Sequence, residues 1–379
     1  MNFDLSEEHL ALKRMVRDFA EQEVAPVAEA LDEKEQFPYD LVRKMGQMGL
    51  MGLIFPKEYG GKGADMLSYA IAIEELARVD SSIAITMAAN VSLGGGAIHL
   101  FGTKEQKLRW LVPLARGEIL GSMGLTEPGA GSDAGATQTR ATLEGDEWVV
   151  NGTKEFITNS GTAISGFVTI SAVTAEANGN REISNIVITK GTPGYSQAEP
   201  YNKMGWHTSD THELSFVDCR VPKENLLGER GRGFKQLLQV LDGGRVSVAA
   251  IGVGLAQGCF EMSLEFAKKR TWAGQPLSRS QAVQFKLADM ATNVELARLM
   301  TYKAAVLQDQ GKPFVKEASM AKLFASEIAV KAADNAVDLQ GIESQLSSVN
   351  RFFRDAKILT IGEGTSEVQR SVLARLLGC

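Results

Sequence analysis

The sequence is poor in the side chains that form disulfides and metal sites. Its 379 residues include only three cysteines, which lie far apart: Cys219, Cys259 and Cys379. They also include only four histidines, none with a second metal ligand at useful spacing: His9, His99, His207 and His212. An odd, scattered set of cysteines argues against a disulfide framework and fits a reducing compartment. We therefore expect neither a disulfide scaffold nor a metal site.

Long hydrophobic runs and an excess of positive charge are lacking as well. We expect no segment long enough to span a bilayer, and hence no membrane insertion. The formal net charge of -6 argues against nucleic acid as a partner, since phosphate binding needs a basic surface. The start Met1-Asn2-Phe3-Asp4 has no basic region followed by an apolar one, which predicts no secretory signal. We expect a cytoplasmic protein, although a mature organellar chain would share these features.

Motifs of several common enzyme classes are also missing. The sequence has no GxSxG elbow, no GxxxxGK[ST] loop and no GxGxxG after a strand. It also lacks the alternation of strands and helices that a Rossmann domain requires. If the protein does redox chemistry, its cofactor therefore lies in another kind of fold.

Three regions that differ in their helix-like or strand-like sequence patterns predict an α+β protein with several domains. Residues 1–120 indicate an N-terminal all-α domain, in which Ser6 caps the first helix and Pro26 ends it. Residues 121–230 indicate a middle β-barrel or sandwich domain. Residues 231–379 indicate a C-terminal four-helix bundle.

Local patterns support this division. Asn151-Gly152 lies between residues that favour strands, and because both turn residues tolerate positive φ we expect a hairpin turn there. Two apolar stripes at helical spacing follow in the C-terminal region: Val283, Leu287, Met290, Val294 and Ala297, then Ala318, Ala321, Ala325, Ile328 and Ala332. We interpret both stripes as helix core.

Three segments could carry chemistry, although each has a plainer reading that is preferred when it is taken alone. Residues 123–133 combine three glycines with hydroxyl and acidic side chains, which suit close approach to a phosphate or ring or form an ordinary surface turn. In residues 151–160, Phe156 and Thr158 share a strand face and could cover a planar ring, or Phe156 is a core aromatic. In residues 361–367, Glu363 lies between two glycines and is a buried base or part of a solvated loop.

Together and in this order, these segments resemble the acyl-CoA dehydrogenase family. The resemblance runs nearly from end to end, and its most specific parts are residues 125–133 and 363–366. Further matching segments are residues 2–8, 56–61, 203–209 and 226–229. The resemblance implies FAD as the cofactor, a homotetramer, an acyl-CoA substrate and an electron-transfer flavoprotein as the partner that receives electrons. It also implies an oxidoreductase of fatty acid or amino acid catabolism.

The resemblance also assigns site residues position by position. The flavin and its pyrophosphate match Met123, Leu125, Thr126, Gly131, Ser132, Phe156 and Thr158. The phosphate and adenine end, partly across a subunit interface, matches Arg270, Gln281, Gln340, Gly341, Thr365 and Glu367. The substrate side matches Ser132, Leu241, Asp242, Arg245 and Gly364. The catalytic base matches Glu363.

In such an enzyme Glu363 removes the α-proton of the thioester while the β-hydrogen leaves as hydride to flavin N5, and the product is a trans-2-enoyl-CoA. The carbonyl is polarised by a flavin ribityl hydroxyl and the backbone N–H of Glu363. Some relatives place the base at the position of Gly244, and since glycine cannot be a base, Glu363 is the one candidate. Ala84 stands where glutaryl-type enzymes have arginine, which disfavours a dicarboxylic acyl group. As a separate working hypothesis, the substrate is a short or branched acyl-CoA.

Four positions depart from the family pattern. Ala273 replaces the aromatic residue that packs on adenine, with Trp272 adjacent. Asp338 stands where relatives have glutamine, and it would be unfavourable near a pyrophosphate unless it points away. The loop after Gly341 is about two residues short, and Gly362 replaces a common tyrosine beside the base, which would widen the pocket. These departures keep open a flavoprotein that acts on a carrier-protein thioester, a non-oxidative acyl-CoA lyase such as a desulfinase, and a non-catalytic assembly protein.

Overall fold

A computed structural model describes residues 4–177 and 180–379 of the chain. Asn2 and Phe3 of the opening segment lie outside the described residues. The α-helices are α1 Glu7–Phe19, α2 Ala25–Glu33, α3 Tyr39–Met48, α4 Met66–Ala77, α5 Ser81–Ala88, α6 Gly96–Phe101, α7 Lys104–Gln106, α8 Val112–Ala115, α9 Gly233–Lys269, α10 Gln281–Asp309, α11 Val315–Gln340, α12 Val349–Ala356 and α13 Ser366–Leu377. The strands are β1 Leu120–Gly124, β2 Arg140–Glu144, β3 Glu147–Thr158, β4 Ser165–Ala177, β5 Asn180–Thr189, β6 Tyr195–Gln197, β7 Thr211–Pro222, β8 Leu226–Leu227, β9 Thr271–Trp272 and β10 Gln275–Pro276.

This order confirms the predicted fold class: N-terminal helices, a middle sheet and C-terminal helices. In the middle region eight strands form one sheet in the order β6-β7-β3-β2-β4-β5-β8, with β1 parallel to β4. The inner face of the sheet has its own apolar core, which includes Trp148, Ile170 and Phe216. The helices share a second and larger core.

Two local predictions at the start of the chain have different outcomes. The Ser6 side chain accepts a hydrogen bond from the backbone N–H of His9, which confirms the N-cap. Pro26 does not end the helix, because it lies in the first turn of α2 and follows a π-helical stretch, Ala20–Val24. Proline is tolerated in a first turn, since its missing N–H would have no partner there.

The predicted hairpin turn at Asn151-Gly152 is wrong. Strand β3 runs through both residues, and the turn lies earlier, at Gly145, which has a φ of 64°. Gly152 serves a different purpose, since a Cβ on it would lie 2.5 Å from the Thr139 Oγ1. Glycine is required there because another segment of backbone approaches the strand closely.

The C-terminal region is built on three long helices, α9, α10 and α11. The predicted stripes lie in their shared core: all five residues of the second stripe are buried, as are four of the first, and only Val283 is partly exposed. Helix α9 is 37 residues long and contacts the N-terminal helices as well as α10 and α11.

The expectation that no segment is long enough to span a bilayer is wrong, because two helical runs are long and apolar enough to do so. The helical runs Ser81–Phe101 and Gly233–Lys269 have mean hydropathies of 1.4 and 1.3 over their most apolar windows. However, 78% of each window is buried within the fold. Buried core helices pass the same test, so the two runs are weak evidence for a membrane protein.

A buried polar cluster joins the three regions. Asp355 in α12 accepts hydrogen bonds from the Trp206 backbone N–H (2.6 Å) and from the Ser81 hydroxyl (2.8 Å). The Trp206 indole N–H donates to the same hydroxyl at 3.0 Å. Next to it, Arg351 and Asp80 form an ion pair at 2.8 Å. These bonds fix residues 203–209, one of the family-like segments, against both helical regions.

Candidate active site

Glu363 lies in a sharp turn between the end of one helix and the start of the next. It has a φ of 53° and Gly364 has a φ of 94°. Positive φ costs a residue with a side chain about 1–2 kcal/mol, and such strain is concentrated at functional sites. The side-chain amide of Gln369 holds the turn, since its Nε2 donates to the carbonyl oxygens of Glu363 (3.3 Å) and Gly364 (3.2 Å).

The carboxylate of Glu363 is enclosed and makes no hydrogen bond to the described residues through either oxygen. It lies against α9, because a Cβ built on Gly244 would be only 2.3 Å from Glu363 Oε2. The same Cβ would be 3.5 Å from the side chain of Leu93. The absence of a side chain at residue 244 therefore makes room for the carboxylate, and the solvated-loop reading of Glu363 is wrong.

The electrostatics of this carboxylate suit a base that works near neutral pH. Burial raises the pKa of Glu363 to about 7, although the positive charges of Lys322 and Arg245 act to lower it. A general base is most effective when its pKa lies near the working pH.

The residues predicted on the substrate side, apart from Ser132, either lie on α9 near Gly244 or follow Glu363 in the chain. Leu241, Asp242 and Arg245 lie on α9 within four residues of Gly244, and Gly364 follows Glu363 directly. The Arg245 Nη1 donates to Asp242 at 2.7 Å, while its buried Nε has no partner among the described residues. Burial raises the pKa of Asp242 against the opposing effect of Arg245.

The predicted flavin residues form a second surface, at the end of β1. The backbone N–H of Glu155 donates to the Thr126 carbonyl at 2.9 Å, which brings residues 123–133 beside Phe156. Phe156 has a φ of 58°, is 60% exposed and stacks on Tyr201 at 4.9 Å. It is therefore not a core aromatic. Cβ atoms built on Gly129 and Gly131 would meet nothing within 4 Å.

The remaining residues of that surface are also accessible. Met123, Leu125, Thr126 and Thr158 are partly buried, and Ser132 is exposed. An outward-facing aromatic ring beside open glycines and hydroxyl groups fits a planar heteroaromatic group with a phosphate-bearing tail. The residues present thus fit a flavin nucleotide.

One helical run connects this surface to Glu363. Asn90 accepts a hydrogen bond from the Gly121 N–H in β1 at 3.0 Å, and Asn159 at the end of β3 donates to the Thr86 carbonyl at 3.0 Å. Leu93 in the same run adjoins Gly244 and the carboxylate. The helical run Ser81–Phe101 is therefore bonded to the strands of the flavin surface and packed beside the base.

The residues matched to the phosphate and adenine end divide into two groups. Thr365 caps α13 by accepting from the Val368 N–H, and Glu367 is exposed in the first turn of that helix, so both adjoin Glu363. Arg270 follows the end of α9, 25 residues from Arg245, which is about 37 Å at the rise of an α-helix. The structure does not bring Arg270 to the Glu363 site within one protomer.

Arg270 lies instead with the other residues of its group. Its guanidinium pairs with Glu343 at 2.8 Å, in the segment after Gly341, which has a φ of 58°. Gln281 is the exposed first residue of α10, and Gln340 ends α11 and accepts from the Ser347 hydroxyl at 2.7 Å.

The structure shows the surroundings of three of the four departures from the family pattern. Ala273 has a φ of 48° in the two-residue turn between β9 and β10, and the adjacent Trp272 is 74% exposed. The Asp338 carboxylate forms an ion pair with the Lys286 ammonium at 2.9 Å, which offsets its negative charge. A Cβ on Gly362 would meet only the Ile358 carbonyl oxygen, at 3.7 Å, which leaves open space beside the base.

Two buried lysines beside these surfaces were missed in the sequence. Lys322 interrupts the small-residue face of α11, where Ala318, Ala325 and Ala329 are fully buried, and a charged residue in register with such a face is a signal that could have found it. Lys154 pairs with Glu127 at 2.6 Å, and both are buried in the middle region. Lys154 lies in β3 between partly buried Thr153 and Glu155, and this local pattern gives no comparable signal.

Comparison with known proteins gives three family-model matches that together cover most of the chain. They are "Acyl-CoA dehydrogenase, N-terminal domain" over residues 6–118, "middle domain" over residues 122–219 and "C-terminal domain" over residues 231–378. A "Probable acyl-CoA dehydrogenase" of Bacillus subtilis is 51% identical over 380 residues, covering 100% of both chains. An "Acyl-CoA dehydrogenase, short-chain specific" of Clostridium acetobutylicum is 46% identical over 376 residues, covering 99% of both.

Solved structures agree with the family matches. Butyryl-CoA dehydrogenase from Megasphaera elsdenii has a TM-score of 0.97 at 42% identity, covering 100% of both chains. A chain from a structure described as the electron transferring flavoprotein of Acidaminococcus fermentans has a TM-score of 0.97 at 45% identity, covering 100% of this chain and 99% of that one. An acyl-CoA dehydrogenase complexed with FAD from Bacillus anthracis has a TM-score of 0.92 at 33% identity, covering 99% of this chain and 67% of that one.

Proposed function

The chain belongs to the acyl-CoA dehydrogenase family, and from that premise we propose that it desaturates a short-chain acyl-CoA at the α,β position with Glu363 as the base. The observation that carries this proposal is the enclosed carboxylate of Glu363, which has no hydrogen-bond partner among the described residues. Its pKa of about 7 suits removal of a weakly acidic α-proton near neutral pH.

FAD is the cofactor of this family. When bound, FAD supplies the acceptor for the two electrons that leave the substrate. We assign the residues around Phe156 and Thr126 to its ring, and Gly131 and Ser132 to its pyrophosphate. Because Arg270 lies about 37 Å from Arg245 along α9, we assign Arg270, Gln281, Gln340 and Gly341 to the cofactor of a neighbouring subunit.

Glu363 has two tasks in this proposal. One carboxylate oxygen accepts the α-proton, and the backbone N–H donates to the thioester carbonyl as negative charge develops there. The second role is supported by the turn geometry, since the Glu363 N–H donates no hydrogen bond to the described residues. Both carboxylate oxygens are buried beside Leu93 and Gly244, which shields the site of proton transfer from solvent.

We propose a short acyl chain. The relatives named above include a short-chain specific enzyme and a butyryl-CoA dehydrogenase. Ala84 is fully buried and offers no cation to a second carboxylate, which disfavours dicarboxylic substrates. We also propose a homotetramer, an electron-transfer flavoprotein as the electron-accepting partner and a cytoplasmic location.

Anaerobic titration of the purified, FAD-loaded protein with acyl-CoAs of increasing length tests the proposal. Bleaching of the flavin absorbance that is strongest with butyryl-CoA is the expected result. A flavin band that no acyl-CoA bleaches would overturn the proposal and favour a carrier-protein thioester or a non-oxidative lyase. Failure to bind FAD at all would favour a non-catalytic protein.

A further inference from the structure

Lys322 is a fully buried lysine next to the candidate base. Its side chain has 0% exposure on α11, between small residues that leave space for it. Its Nζ donates one hydrogen bond, to the Gly364 carbonyl oxygen at 2.7 Å. Burying an ammonium group is costly unless it is paired or hydrogen-bonded, so this position needs an explanation beyond packing.

The bond of Lys322 joins the middle of α11 to the turn that carries Glu363. Gly364 follows Glu363, and the same carbonyl also accepts from Gln369. The turn is strained at Glu363, which has a side chain and a positive φ, and such a conformation persists only where its surroundings hold it. Gln369 lies on α13, whereas Lys322 lies on α11, so the turn is hydrogen-bonded from two different helices.

The charge of Lys322 acts on the carboxylate as well. Its ammonium makes no direct hydrogen bond to Glu363 among the described residues, so both carboxylate oxygens stay free to accept a proton. The two groups nevertheless interact electrostatically: Lys322 lowers the pKa of Glu363, while burial brings the pKa of Lys322 down to about 8 against the opposing effect of Glu363.

We propose that Lys322 is a positioning residue for Glu363, which holds the base-bearing turn through the Gly364 carbonyl and supplies positive charge to the enclosed carboxylate. This inference rests on the proposed function, because it takes Glu363 to be the base. The carboxylate is thereby kept free to accept a proton while a nearby cation favours its ionised form.

Other charged groups that face the pair are fixed from the neighbouring helices. Arg245 on α9 adds a second cation, which is partly neutralised by its ion pair with Asp242. Tyr69 on α4 is fully buried and its pKa is raised by burial and by the charge of Glu363, so it stays neutral. Glu367 on α13 interacts with Lys322 but is exposed to solvent. Lys322 is thus the one cation near Glu363, among the described residues, that also bonds to its turn.

The test is a titration of Glu363 itself in the FAD-loaded protein without substrate. The infrared band of the protonated carboxyl, identified by its loss in Glu363→Gln, is followed against pH in the wild type, Lys322→Met, Lys322→Gln and Lys331→Met. Lys331 lies on the same helix but is exposed, so Lys331→Met is the matched control. Lys322→Gln retains a donor for Gly364 without the charge.

In Lys322→Met and Lys322→Gln we expect the midpoint of the Glu363 titration to rise by at least about one pH unit, and in Lys331→Met to stay unchanged. Below both midpoints such a rise lowers the ionised fraction about tenfold, so kcat/KM with butyryl-CoA should fall about tenfold there and recover as the pH rises. Lys322→Met should lose more activity at high pH than Lys322→Gln, because it also loses the bond to the turn.

An unchanged Glu363 midpoint in both Lys322 variants would overturn the proposal, and so would an equal shift in Lys331→Met. If Lys322→Met does not fold, the Glu363 midpoint in Lys322→Gln is compared with that of the wild type, and an unchanged midpoint overturns the proposal. The infrared result does not depend on turnover. A wild type that no acyl-CoA reduces would therefore refute the proposed function separately from the role of Lys322.

Discussion

At the scale of single residues, the site depends on a balance of forces around one carboxylate. Burial disfavours the charge of Glu363, and Lys322 and Arg245 favour it, which leaves its pKa at about 7. The base must be ionised to accept a proton. We therefore predict that kcat/KM rises with pH through about 7 and falls about tenfold for each unit below it. A pH profile of flavin reduction measures this, and an acid limb near the ordinary pKa of glutamate, 4.5, would contradict it.

Gly244 provides a second prediction at this scale. Gly244→Ala would place a Cβ 2.3 Å from Glu363 Oε2, so the carboxylate must move, and we predict a loss of about 100-fold in kcat. The matched control is Gly243→Ala on the same helix, where the nearest atom to the new Cβ is Gln308 Nε2 at 3.4 Å. Both changes favour the helix by up to about 1 kcal/mol, so both proteins should fold. Equal activity in the two variants, measured by steady-state kinetics, would refute the contact.

The residues of the site could be predicted from the sequence only in part. Glu363 and Phe156 were predicted as site residues only from the order of family-like motifs, since neither segment alone favoured chemistry. Lys322 and the space at Gly244 could not be identified that way, because their importance arises from contacts between residues more than 40 positions apart, and between α9 and the turn at Glu363. The assignments of flavin and substrate residues stay predictions.

At the scale of secondary-structure elements, one buried ion pair organises the flavin surface. Lys154 in β3 bonds to Glu127 at 2.6 Å and to the Leu125 carbonyl at 3.3 Å, so it ties residues 123–133 to the sheet. Burial alone would raise the pKa of Glu127, but Lys154 and the hydrogen bonds from Thr137 and the Gln138 N–H lower it to about 2. The pair therefore holds the loop on which the proposed flavin contacts lie.

We predict that Lys154→Met lowers the free energy of unfolding by about 3–5 kcal/mol, because it leaves Glu127 buried without its cation. FAD should also dissociate more readily, as measured by the flavin retained on gel filtration. The double variant Glu127→Gln with Lys154→Met should be less destabilised than Lys154→Met alone, by denaturant unfolding. If the double variant shows the sum of the two single losses, the pair does not act as a unit.

The same pair predicts a dependence of stability on acid. The folded pKa of Glu127 lies below its ordinary value of 4.5, so its contribution is complete above about pH 4.5 and is lost as the pH falls towards 2. The wild type should lose more unfolding free energy over that range than Glu127→Gln, as measured by denaturant unfolding at several pH values. If the unfolding free energy of both proteins falls equally with pH, Glu127 is not the source of the acid dependence.

The elements themselves were predictable where the pattern was long. The order of helices, sheet and helices, and the stripes on α10 and α11, follow from hydrophobic spacing. The predicted hairpin turn at Asn151-Gly152 is wrong because Gly152 lies within β3, where its missing side chain lets Thr139 approach closely. Pro26 failed as a helix end because a π-helical stretch before it lets the chain continue as helix. The role of Gly152 is set by a tertiary neighbour, whereas that of Pro26 is set by the helical turn just before it.

At the scale of the whole molecule, the C-terminal helical region leaves large apolar side chains uncovered. Trp272 is 74%, Ile342 82% and Leu346 91% exposed, and the latter two lie in the segment whose Glu343 pairs with Arg270. We predict that subunit contacts cover this region in a homotetramer. Sedimentation equilibrium should then give about four times the chain mass of 40.9 kDa. A monomer in the presence of FAD would contradict both the tetramer and the shared cofactor site.

The central claim is that Glu363 is the base, and flavin reduction in Glu363→Gln tests it most directly. Wild type and variant, both loaded with FAD, are mixed anaerobically with butyryl-CoA while the flavin absorbance is followed. We predict equal FAD content and equal melting temperature, rapid bleaching in the wild type and none in the variant on the same timescale. Bleaching of Glu363→Gln at a rate within about tenfold of the wild type would mean that another group removes the proton.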